Sequence, residues 1–187
     1  MTSVIKKIFA FSLLFAATVA YSQVAPSSTG GESALWVGGE YSNFNPDYGP
    51  ARLNGIGTTF DLNLTEKIGA VGEARWLRFG NSADEGETQS DYLIGAKYRM
   101  YRWNKIDFDA KFLLGGIWVR FPGSIGKGSY FAYAPGVFAD YRLTPRFRFR
   151  AGYEFQFMPS APNIPGNSTN GMTPRGVTIG LEYALVR

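Results

Sequence analysis

The 187-residue chain predicts an all-β fold, eight antiparallel strands joined up and down and closed into a barrel with the apolar face outward. Three observations predict it: apolar and polar residues alternate over eight segments, the apolar face is too bulky to be enclosed, and the connections alternate between short and long. Composition points the same way. The chain is 45% hydrophobic, 16% aromatic and only 18% charged, with 23 Gly, an unusual balance for a soluble enzyme. With no Cys there are no disulfides, thiolate zinc sites, iron–sulfur clusters or lipid-carrying N-terminal Cys. With no His the commonest general base and metal ligand are gone, and Ser-His-Asp chemistry is impossible. No cofactor is implied.

The N-terminus reads as an export signal. Lys6 and Lys7 precede an apolar run from Ile8 to Ala20, shorter than the roughly 20 residues of a membrane-spanning helix. Ala20-Tyr21-Ser22 supplies small residues for cleavage after Ser22, so residues 1–22 form a signal peptide, 23–32 a flexible lead-in, and 33–187 the barrel. Lys6 and Lys7 leave with the signal, and the mature chain is close to neutral, a poor match to nucleic acid.

The strands follow in order, at 33–43, 54–64, 68–78, 90–101, 106–119, 130–142, 147–157 and 175–186. Their apolar faces begin with Leu35, Val37 and Tyr41, then Ile56, Phe60, Leu62 and Leu64, then Ile68, Ala70, Ala74 and Trp76. Strand four offers Tyr92, Ile94, Ala96, Tyr98 and Met100, and strand five Phe108, Ala110, Phe112, Leu114 and Trp118. Strand six gives Phe131, Tyr133, Pro135, Val137, Ala139 and Tyr141, with a bulge or local break expected at Pro135, which lacks a ladder N–H. Phe147, Phe149, Ala151, Tyr153, Phe155 and Phe157 line strand seven, and Val177, Ile179, Leu181, Tyr183 and Leu185 line strand eight.

The opposite face collects the charges. It carries Glu40, Asp61, Glu73, Asp91, Asp107, Asp109, Asp140, Glu154 and Glu182 against Arg75, Lys97, Arg99, Lys111, Arg142, Arg148 and Arg150. Small and amide residues fill the gaps, among them Gly57, Asn63, Gly95, Gly136, Gly152, Gln156 and Gly180. An eight-stranded barrel holds only a modest fill of side chains, so the aromatic-rich face does not fit inside a soluble cup. Turned outward, it makes the apolar band of a transmembrane barrel. A one-residue slip would face the ions to lipid, at roughly 2–4 kcal/mol for each Lys or Arg near the midplane.

The connections agree with this sidedness. Those at 65–67, 102–105 and 143–146 are short, whereas 44–53, 79–89, 120–129 and 158–174 are long and hold most of the turn-forming Gly, Pro, Asn and Ser. Short turns on the periplasmic side and long loops outside are the asymmetry of outer-membrane barrels.

Local motifs point to a family. Tyr133-Ala134-Pro135-Gly136, Asp140-Tyr141-Arg142-Leu143-Thr144-Pro145 and Arg150-Ala151-Gly152-Tyr153-Glu154 resemble the sixth strand, periplasmic turn and seventh strand of the bacterial outer-membrane β-barrel domain family. This family includes the small barrels of the OmpA transmembrane domain and OmpX-like type, and the whole mature chain is similar to them. The resemblance implies a cell outer-membrane location of the Gram-negative type, contact with outer-membrane lipid, and insertion by the barrel-assembly machinery. It also implies an assembly signal in the last strand, carried here by Thr178, Gly180, Tyr183 and Leu185. The chain ends Val186-Arg187 where such barrels usually end on an aromatic.

The inward charges have two readings, a packed ionic plug and a narrow conducting path. Buried charges need partners, which favours the plug. Asp107 and Asp109, at i and i+2, project about 6–7 Å apart with Lys111 next on the same face, a weak arrangement for catalysis. Outer-membrane deacylases, palmitoyltransferases and omptin proteases of similar shape rely on His. Asp84, Glu85 and Glu87 lack the spacing of a calcium loop and read as a solvated acidic loop. Arg146–Arg150 alternates with Phe147 and Phe149, which suits ions inside and lipid outside better than nucleic acid. Trp36, Trp103 and Trp118 are candidate membrane-interface anchors, with luminal filling the other reading for Trp36. The expectation is a monomeric outer-membrane barrel with a closed lumen, four exposed loops and a structural or surface-interaction role, not an enzyme; the loop partner is open. The alternative is a narrow porin-like channel, with a soluble ligand-binding barrel and an outer-membrane enzyme behind it.

Overall fold

The computed structural model describes residues 34–47, 51–79, 86–121, 126–162 and 171–186. The segments read as signal peptide and lead-in lie outside the described residues, as do Asp84 and Glu85. Eight strands are present: β1 Leu35–Asn45, β2 Leu53–Asn63, β3 Ile68–Phe79, β4 Glu87–Trp103, β5 Ile106–Arg120, β6 Lys127–Arg142, β7 Phe147–Phe155 and β8 Arg175–Val186. Each pairs antiparallel with its sequence neighbours, and β1 pairs with β8, so the sheet closes in chain order without a free edge. The fold class is the one the alternation predicts. β4 and β6 begin at Glu87 and Lys127, earlier than expected, because the ladder continues through Thr88↔Arg120 and Arg120↔Lys127. Strands run from 9 residues in β7 to 17 in β4, enough to cross a bilayer at the usual tilt.

The three short turns close by local chemistry. In Leu64-Thr65-Glu66-Lys67 the Thr65 hydroxyl accepts from the N–H groups of Lys67 and Ile68, at 3.3 and 2.9 Å. Leu143-Thr144-Pro145-Arg146 repeats the device, with Thr144 accepting from Arg146 and Phe147 at 3.2 and 3.0 Å. The third turn passes through Asn104 at φ 53°, a left-handed conformation Asn tolerates.

Side-chain alternation holds through nearly all of the wall. Ile56, Ile94, Phe112, Phe131, Val137, Ile179 and Leu181 are exposed on the outer surface, Ile94 at 67%. So continuous an apolar belt exceeds what a soluble monomer leaves in water. Two bulges disturb the pattern. One leaves Met100 unpaired between Arg99↔Asp109 and Tyr101↔Phe108, and Met100 to Trp103 are all exposed. The other shifts the β1–β8 register between Leu35 and Trp36, and both side chains are buried. Leu35 therefore does not join the outer face as predicted, while Trp36, on the same parity as Glu40, takes the luminal one of its two readings.

At Pro135 the register does not shift. The ladder to β5 runs on through Phe112↔Pro135, while pairing toward β7 stops at Gly136↔Glu154 and resumes at the isolated bridge Tyr133↔Phe157. The missing N–H breaks one side only.

The inner wall is less uniformly ionic than the alternation suggests. Val71, Leu93, Leu113, Ile117, Val119, Ala132 and Ala134 point inward and pack with Phe121, Met158 and Met172, beside a smaller cluster of Phe44, Leu53 and Leu77. Between Leu113 and Val119 β5 is apolar on both faces, with Leu113, Ile117 and Val119 buried inside and Leu114 and Trp118 exposed on the outer surface.

Candidate functional site

Charged side chains from all eight strands meet inside the barrel in three linked groups. The first surrounds Arg75, whose guanidinium is fully buried and binds Glu40 at 2.7 Å, Glu154 at 2.7 Å, Glu73 closely, and Asp91 at 3.7 Å. Lys111 joins Glu73 to Glu154, the latter at 2.6 Å. Gln89 and Gln156 complete this group: both donate to Asp91 at 2.8 Å, and Gln156 also donates to Glu154 at 3.1 Å.

The group depends on glycine across the strand. A Cβ on Gly57 would lie 2.9 Å from Arg75 Cγ and 3.1 Å from Glu40 Oε1, in the lane through which Arg75 reaches Glu40. Gly136 stands likewise beside Lys111, where a Cβ would come within 2.9 Å of Cε. In a narrow barrel a long side chain on one strand needs an empty position on the next.

The second group sets Lys97, Arg148 and Arg150 against Asp61, Asp140 and Glu182. Asp61 receives Lys97 at 2.6 Å, Arg148 at 2.6 Å and Arg150. Arg150 also holds Asp140 at 2.7 Å and Glu182 at 3.0 Å. Thr59 donates to Glu182 at 2.7 Å. Oxygens of the three carboxylates come within 4.8 Å of one another, a spacing that suits a cation, but the protein's own guanidinium groups serve them. The third group lies near the short turns, where Asp107 meets Arg102 at 2.6 Å, Arg142 at 3.3 Å and Arg99 at 3.7 Å. Asp109 lies 4.0 Å from Arg99.

Of the sixteen charged residues singled out by alternation, all are buried except Arg142, half-exposed at the mouth. Several partners carry no alternation signal. Arg102 enters because the bulge at Met100 shifts its parity, and aromatic rings cover the guanidinium groups: Phe44 under Arg75 at 5.2 Å, Trp36 under Arg148 at 4.4 Å and Phe138 under Arg150 at 3.9 Å. Asp107 and Asp109 face cations, not each other as an acid pair. Glu87 is buried at the start of β4 rather than solvated. Trp103 and Trp118 are exposed on the outer surface.

In β8, Thr178 points inward, Gly180 pairs with Glu40 and Arg150, Tyr183 packs at a tilt against Phe147 at 5.1 Å, and Leu185 is exposed at the bulge.

The geometry leaves an ionic interior, an apolar exterior and alternating short and long connections. The chain superposes on Neisserial surface protein A, NspA, with a TM-score of 0.61 over 82% of this chain and 98% of that one, at 12% identity. It also superposes on the outer membrane protein OprG of Pseudomonas aeruginosa, with a TM-score of 0.57 over 81% and 95% at 12% identity. The fold is that of an eight-stranded outer-membrane β-barrel. No protein-family model and no curated protein matches this barrel's sequence.

Proposed function

We propose that the chain works as an outer-membrane barrel with a sealed lumen, whose long connections serve a structural or surface-interaction role. The carrying observation is compensation: Arg75, Asp91 and Asp61 at the heart of the lumen have no accessible surface, and each is bound by partners from other strands. A water-filled path would leave such groups wet. The apolar belt supports contact with outer-membrane lipid. On this reading residues 1–22 direct export, and Thr178, Gly180, Tyr183 and Leu185 are read by the assembly machinery. The barrel acts as a monomer without a cofactor and is not an enzyme, a reading supported by the close pairing of Asp61, Glu73, Asp140, Glu154 and Glu182 with cations.

Planar-bilayer recording tests the seal. Purified barrel, checked by its change in gel mobility on heating, is expected to give no stable openings; reproducible single-channel steps would replace this reading with a narrow channel.

A further inference from the structure

Like charges lie opposite each other at two places in the β4–β6 wall, with different outcomes. Inside, Lys97 faces Lys111, and acids from other strands neutralise both: Asp61 for Lys97, Glu73 and Glu154 for Lys111. Outside, at the long-connection end, Arg120 faces Lys127, and neither forms an ion pair with any described residue. Directly opposed like charges destabilise a strand pair unless something neutralises them. The exposed charges at this rim are cations, Arg78, Arg52 and Arg175 being the others among the described residues, and the half-buried Asp47 there accepts from Thr173 beside β1 and β8.

Arg120 and Lys127 border a recess of about 460 Å³ on the outer surface, with the Thr88, Ser90 and Ser129 side chains and Trp118 in its wall. Beside it an aromatic row crosses β5, β4 and β3 on the outer surface: Trp118 and Trp76 both stand opposite Ser90, and Tyr92, one outward position further from the rim, packs against them at 5.3 and 6.1 Å. A recess at the short-turn end, about 220 Å³, differs: it contains Glu66, Arg99 donates to the Glu66 carbonyl at 2.7 Å, and Arg102 is paired with Asp107.

We propose that the Arg120–Lys127 recess binds the phosphorylated sugar headgroup of a glycolipid in the leaflet on the long-connection side. The cations take the phosphate, the three hydroxyls face sugar oxygens, and the acyl chains run down over Trp118 and Tyr92. This rests on the outer-membrane reading above. A lipid-borne phosphate suits the recess better than a free one, because Trp118 shares its wall with Arg120 and Lys127 and Tyr92 continues the exposed apolar surface from there.

The test titrates folded barrel in detergent with bisphosphorylated lipid A and with the same lipid after phosphatase treatment, reading bound lipid by native mass spectrometry. The phosphorylated lipid is expected to bind at least tenfold tighter. R120Q/K127Q weakens it about thirtyfold, R120K/K127R keeps it within about threefold, and K67Q/K105Q at the short turns leaves it unchanged. Equal binding of the two lipids, wild-type affinity in R120Q/K127Q, or displacement by equimolar inorganic phosphate overturns the site. Heat-dependent gel mobility is read on every variant. Its loss in the wild-type protein defeats the barrel reading, whereas a heat-shifting protein indifferent to phosphate defeats the site alone.

Discussion

From its short turn onward β5 directs Asp107, Asp109 and Lys111 into the lumen and then Leu113, Ile117 and Val119, whereas two strands away β7 presents Arg148, Arg150 and Glu154. Both stretches are buried in the same barrel, yet they are held by different physics. The charged stretch is stable only when each ion meets specific partners from distant strands, since an unpaired buried charge is costly and geometry decides whether attraction offsets desolvation. The apolar stretch requires only that the volume be filled. Sensitivity to substitution therefore concentrates at the ionic centres and depends on chemistry there, while along β5 it depends on size.

The largest effect is expected at Arg75. Arg75→Met strands Glu40, Glu73, Asp91 and Glu154 with Lys111 alone and lowers stability by about 3–5 kcal/mol, measured by urea unfolding from lipid vesicles. Adding Glu73→Gln and Glu154→Gln restores more than half of the loss; no recovery would mean the site is held by packing, like the other half of the lumen. Leu113 sharpens the contrast from that side. Leu113→Ala costs roughly 2–4 kcal/mol through the cavity it opens, while Leu113→Met costs less than about 1.5 kcal/mol because volume is conserved, both read in the same unfolding assay. The smallest effect falls at the mouth. Arg102 pairs with Asp107 with its side chain 38% exposed, so Arg102→Gln lowers the unfolding free energy from the same urea assay by no more than about 1 kcal/mol. A loss at Arg102 equal to that at Arg75 would erase the distinction between wet and buried ion pairs.

Much of this barrel was legible in the chain because a strand has period two. Phe147, Phe149 and Tyr153 must lie on one face if Arg148, Arg150 and Glu154 lie on the other, whatever the neighbouring strands do. Alternation breaks down where the period breaks. The bulge at Met100 carries Arg102 to Asp107, and the bulge at Leu35–Trp36 takes Leu35, expected to face lipid, inside, whereas Trp36 keeps the inward parity of Glu40 and Ser42. The apolar inner wall had a visible trace, since Phe112-Leu113-Leu114 and Ile117-Trp118-Val119 lose their alternation, but only closure of the barrel buries Leu113, Ile117 and Val119 inside while leaving Phe112, Leu114 and Trp118 outside.

Local periodicity and turn chemistry along the chain set the number of strands, the apolar face of each and which connections are long. Tertiary structure alone decided which charge meets which, because Arg75 and Glu154 are 79 positions apart and meet only when closure brings β3 and β7 to the same lumen. It also decided that Arg120 stands opposite Lys127, a juxtaposition set by register between strands. Periodicity acts along one strand, while neutralisation acts across several.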